Sequence, residues 1–81
     1  MFRATIHFRS GNDTNNFEIA NVFELLVDGV QTQPKDLKFA NAQNITLNYH
    51  QRLFGNNPKK LSGTVVFNAS DIIYIDLVEE D

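Results

Sequence analysis

Phe2-Arg3-Ala4-Thr5-Ile6-His7-Phe8-Arg9 alternates four apolar residues with four polar or charged ones. Successive side chains leave a strand on opposite faces, so a period of two over this length predicts a strand with one buried and one solvated face. Ser10-Gly11-Asn12-Asp13 is a turn cluster, and beyond it Phe17 and Ile19 flank Glu18 in a shorter run of the same period. Two such runs around a turn predict a hairpin.

Val22-Phe23-Glu24-Leu25-Leu26 fits two descriptions. With Asn21 as N-cap it makes one and a half helical turns. With Asp28-Gly29 behind it, bracketed by Val27 and Val30, it makes one arm of a hairpin closed by a type I′ turn. The hairpin is the preferred reading. Pro34 ends the second arm, and Gln33 to Phe39 is either loop or a single helical turn with proline at its first position. Ile45, Leu47 and Tyr49 alternate with Thr46, Asn48 and His50, which predicts a strand over 44–50. Residues 51–60 form the longest polar loop. Leu61 to Phe67 is β-branched and aromatic, a strand with Gly63 as its candidate bulge. Asn68-Ala69-Ser70-Asp71 is a tight turn, and Ile72 to Val78 is the last strand. The sum is an all-β domain spanning 1–81: a small antiparallel barrel or curled meander of six to seven short strands, with room for one short helix.

Eighty-one residues suffice for one small core. There is no cysteine, so disulfides, thiol nucleophiles and cysteine zinc sites are excluded. No apolar run approaches the roughly 18 residues of a membrane helix, and Met1 to Gly11 has no signal-peptide block. The expected location is cytoplasmic. The triplets starting at Asn12, Asn44 and Asn68 match the glycosylation pattern but carry no weight without a secretion signal. Ten asparagines are many for this length, and most fall where turns are expected. Their tolerance of left-handed backbone is the simplest account.

Little in the chain suggests catalysis. Three serines and five threonines are available, none in a nucleophile-elbow sequence. Glu18, Glu24 and Asp28 are unassigned carboxylates, and Gly55 to Lys60 lacks the spacing of a phosphate loop. His7 and His50 would lie close if their strands were neighbours, but no spacing motif supports a metal or acid–base pair. The expectation is a non-enzymatic protein without metal or cofactor.

The last strand is unusual. Ile72, Ile73, Tyr74, Ile75, Leu77 and Val78 are apolar on both parities, whereas a strand with one solvated face alternates. If Ile73, Ile75 and Leu77 fill the core, then Ile72, Tyr74 and Val78 need other cover, each apolar side chain left in water forgoing about 1.5–3 kcal/mol. That cover comes either from the chain's own 34–43 segment, with Leu37, Phe39, Ala40 and Ala42, or from another chain; the remaining alternative is a patch left exposed. The second option makes Ile72, Tyr74, Val78 and Val66 a protein interface in a homodimer, a small oligomer or a complex with another protein.

The alternative is a nucleic-acid face built from Arg3, His7, Arg9, His50 and Arg52, with Lys59 and Lys60 at its rim. A net charge of −3 opposes it, as does the parity of Phe2, Phe8 and Tyr49, which points them inward and away from any base.

Val65-Val66-Phe67-Asn68-Ala69-Ser70-Asp71-Ile72-Ile73-Tyr74-Ile75 is similar to the strand, short turn and strand that close SH3-like small barrels. The acidic-aromatic motif and tryptophan of SH3 peptide grooves are missing, so no binding residue carries over. Through Phe2–Gly11 and Ile72–Asp81 the chain also resembles small, uncharacterised, Asn- and Phe-rich proteins of phages and prophages of low-GC bacteria, a grouping that implies no shared activity.

Overall fold

The computed structural model describes residues 1–38, 40–51 and 61–80. Phe39, Arg52, Lys59, Lys60, Asp81 and nearly all of the expected 51–60 loop lie outside the described residues. The fold is all-β: one curled antiparallel sheet of six strands. They are β1 (Phe2–Ser10), β2 (Asp13–Val27), β3 (Val30–Gln31), β4 (Asn44–Gln51), β5 (Leu61–Asn68) and β6 (Ile72–Glu79). Single 3-10 turns sit at Pro34–Asp36 and Ala69–Asp71. The strand order is β5-β4-β2-β1-β6, with β3 appended to the end of β2.

β1 carries the alternation that its sequence sets. Phe2, Ala4 and Ile6 are buried, while Arg3, Thr5, His7 and Arg9 are on the other face. The short strand expected around Phe17 and the one expected over 22–27 are a single strand, β2, of 15 residues. Asn21 joins them at φ 59°, a left-handed conformation that asparagine tolerates better than most residues. The pairing shifts by one residue on both sides of this point. Ala4 faces Ile19 and Phe2 faces Val22 on the β1 side. Val22 faces Tyr49 and Glu24 faces Asn48 on the β4 side, leaving Phe23 unopposed. Bulges of this kind bend a strand and increase its twist. The first half of β2 therefore pairs with β1 and the second half with β4. The helical alternative for Val22–Leu26 is not adopted.

Asp28 (φ 51°) and Gly29 (φ 82°) form the turn between β2 and β3, the two positive φ values a type I′ turn demands. Asp28 Oδ1 also accepts hydrogen bonds from the backbone N–H groups of Gln43 and Asn44, both at 2.8 Å, pinning the start of β4. Proline occupies the first position of the Pro34–Asp36 turn, as expected.

The core is one cluster: Phe2, Ala4, Ile6, Ile19, Val22, Leu25, Ile45, Leu47, Ala69 and Ile72. Leu37 and Ala42 from the 34–43 segment pack against this cluster, and Ala40 is exposed. Gly63 is not at a bulge. It pairs regularly with Tyr49, and a Cβ there would collide with the Tyr49 ring. The turn at Ala69–Asp71 also closes no hairpin, because β6 crosses over to pair with β1.

Candidate interaction surface

β6 lies at one end of the strand order, with β1 as its only strand neighbour among the described residues. Its side chains do not divide as simple alternation predicts. His7 faces Tyr74, but the next residue of β1, Phe8, faces Ile72. Ile73 is therefore an extra residue, and the parity of β6 changes across it. Ile72 is 8% exposed and belongs to the core, with Ile75 and Leu77 packed against the same cluster. Ile73 (43%), Tyr74 (50%) and Val78 (51%) are left to solvent.

This corrects the expected interface in two places. Ile72 is buried by the chain itself. Val66, although 59% exposed, sits on β5 at the opposite end of the sheet and is not continuous with β6. Tyr74 and Val78 keep their expected exposure, and Ile73 takes the place of Ile72. Sequence reasoning missed Ile73 because the bulge is a property of the β1–β6 register, which no residue of β6 announces.

The outer face of β6 has defined neighbours. The Tyr74 ring stacks on His7, with centroids 3.9 Å apart and planes at 20°. Asp76 faces Thr5, which faces Glu18 on its other side. Val78 faces Arg3. The Arg3 guanidinium is held by Glu80 at 2.6 Å and Glu18 at 3.4 Å, and Glu79 lies 3.6 Å from the Met1 amino group. A shallow groove of about 370 Å³ runs beside the stack, lined by His7, Thr14, Asn15, Asn16, Ile73 and Tyr74.

Among the described residues the expected basic face is not assembled. β2 separates β1 from β4, so His7 and His50 are not neighbours. His50 stacks on Phe23 instead, centroids 4.3 Å apart. Arg3 is already paired with two carboxylates, Arg9 stands at the far end of β1, and Arg52 is outside the described residues. Among the described residues no three His, Asp or Glu side chains converge in a way that could hold a metal ion. Among the described residues no helix is long and apolar enough to cross a membrane.

No protein-family model, curated protein or solved structure matches the chain.

Proposed function

We propose that this chain is a non-enzymatic binding and assembly module that receives a strand from a second protein chain on the free edge of β6. The observation that carries this reading is the combination found on that strand. Among the described residues its outer backbone edge has no strand partner, and it carries three half-exposed apolar side chains, Ile73, Tyr74 and Val78, with no lysine or proline in its sequence. Edge strands invite pairing with other chains, and lysine, proline and covering segments are the usual defences. β6 has a bulge at Ile73 but leaves the run from Tyr74 to Glu79 regular. Strand addition supplies main-chain hydrogen bonds for affinity and side-chain contacts for selectivity.

The second chain is either a copy of this protein or a different one. If the resemblance to phage and prophage proteins reflects origin, a host protein is the natural donor of that strand. The nucleic-acid alternative has no comparable support among the described residues, because Arg3 is paired with two carboxylates and β2 separates the strands of His7 and His50. A salt titration against labelled single strands is expected to show none of the steep salt dependence that phosphate binding requires.

The test uses labelled protein and a strand-length peptide of alternating polar and apolar residues, followed by amide chemical shifts. Strand addition predicts shifts concentrated on β6 and its neighbour β1. It also predicts that N-methylating alternate peptide bonds on the hydrogen-bonding side abolishes them. Shifts that survive N-methylation, or that avoid β6 for every peptide tried, reject the reading.

A further inference from the structure

We infer that the strand β6 receives is a basic one, in which lysine or arginine alternates with apolar residues, and that it comes from a different protein and not from a second copy of this chain. This inference rests on the strand-addition reading and adds the partner's chemistry to it.

Three exposed carboxylates are spaced along the edge. Asp71 immediately precedes β6, Asp76 stands at its middle and Glu79 ends it. β6 contains no basic residue. Asp76 shares the outer face with Tyr74 and Val78, and its cross-strand neighbour Thr5 is neutral. The nearest row of cations is spent or displaced. Arg3 is held by Glu80 and Glu18, and Arg9, one position beyond the last β1–β6 pair, stands at the Asp71 end of the edge and away from Asp76. Among the described residues no ion pair reaches Asp71 or Asp76. An incoming strand on this edge therefore runs along an apolar and acidic strip whose unpaired negative charge is at Asp71 and Asp76, Glu79 being paired with the Met1 amino group.

A second copy is poorly matched to that strip. Two-fold pairing of β6 with itself lays one acidic run along another, with strands about 5 Å apart and no cation in either. The registers that set Asp76 against Asp76, or Asp71 against Glu79, face like charges across the strands and are destabilised. A basic strand places a cation opposite Asp76, and apolar residues opposite Tyr74 and Val78. An arginine there also gains the Tyr74 ring as a cation–π partner.

The molecule carries its own control. β5, the edge strand at the other end of the sheet, has no charged residue. Recognition by charge selects β6 over β5, whereas indiscriminate edge pairing engages both.

The experiment titrates the full labelled chain with peptides of one alternating scaffold, bearing lysine, glutamine or glutamate at the polar positions, at low and high salt. The lysine peptide is expected to shift β6 amides and leave β5 unmoved, binding at least about tenfold tighter than the glutamine peptide, a factor worth about 1.4 kcal/mol. The glutamate peptide is expected not to bind. Asp76→Lys, at an exposed position, is expected to keep the core amide spectrum and invert the order of the peptides. Light scattering is expected to give the protomer mass across concentration at low salt. Equal binding of all peptides at β6, equal shifts on β5, or a doubled mass with concentration-dependent β6 shifts each overturns the inference while strand addition stands. Failure of every peptide to move β6 removes the strand-addition reading itself, and the inference with it.

Discussion

Gly63 and Tyr49 form a steric lock between β4 and β5. The Tyr49 ring occupies the space a Cβ at Gly63 would need, so Gly63→Ala is expected to destabilise by about 1–3 kcal/mol through overpacking. A urea midpoint measures the loss. Combining it with Tyr49→Leu, which frees that space, should recover part of it, and purely additive losses would show that the ring is not the obstacle. The two sides of the Ile73 bulge give a sharper comparison. Ile72 is core and Tyr74 is surface, so Ile72→Ala should cost about 2–4 kcal/mol as a cavity is left behind. Tyr74→Ala should cost under about 1 kcal/mol, because an exposed ring stacked on His7 has little burial to lose. If denaturation reverses that order, β6 pairs with β1 without the extra residue.

Element by element, the sequence exposes what is local and hides what depends on register. The eight alternating residues of β1, the Asp28-Gly29 turn, the alternation of β4 and the proline-led turn at 34–36 are legible because each follows from its own backbone preferences. The continuity of β2 is not. A strand with two bulges loses the periodicity by which strands are found, so its halves look like separate elements separated by Asn21. The same loss of period in β6 looks like a second apolar face, although the bulge sends Ile72, Ile75 and Leu77 to one core. Of the four residues expected at an interface, Tyr74, Val78 and Val66 are exposed; register moves Ile72 into the core, and strand order sets Val66 apart on β5. Asn21 makes the point testable. At φ 59° a β-branched residue is strained by roughly 1–2 kcal/mol, so Asn21→Val should lower stability by that amount while Asn21→Gly holds it. Thermal melts of the two variants decide whether the bend of β2 depends on left-handed backbone at this residue.

For the molecule as a whole, the distribution of burial along β2 implies an uneven distribution of stability. The principal extents are 43 × 28 × 20 Å, and all of the buried residues of β2 lie in the half of the strand beyond Glu18, from Ile19 to Leu25. From Asp13 to Glu18 every residue is exposed, and the matching end of β1 loses its burial after Phe8. That hairpin end is held by its ladder hydrogen bonds and little apolar contact, beyond the tilted meeting of Phe17 with Phe67 at 6.2 Å. Segments with few buried contacts open without global unfolding. Hydrogen exchange should therefore find Thr14 to Asn16 exchanging through local opening, well before Ile6, Leu25 and Leu47, whose protection should track the global unfolding free energy under mild denaturant. The groove beside Tyr74 draws Thr14, Asn15 and Asn16 from this same hairpin end, but β1 stands between them and β6, so they lie away from the free edge. Saturation with a peptide that adds to that edge is expected to protect β6 amides and leave the exchange of Thr14 to Asn16 unchanged. Protection of Thr14 to Asn16 would place the peptide in the groove and not on the edge.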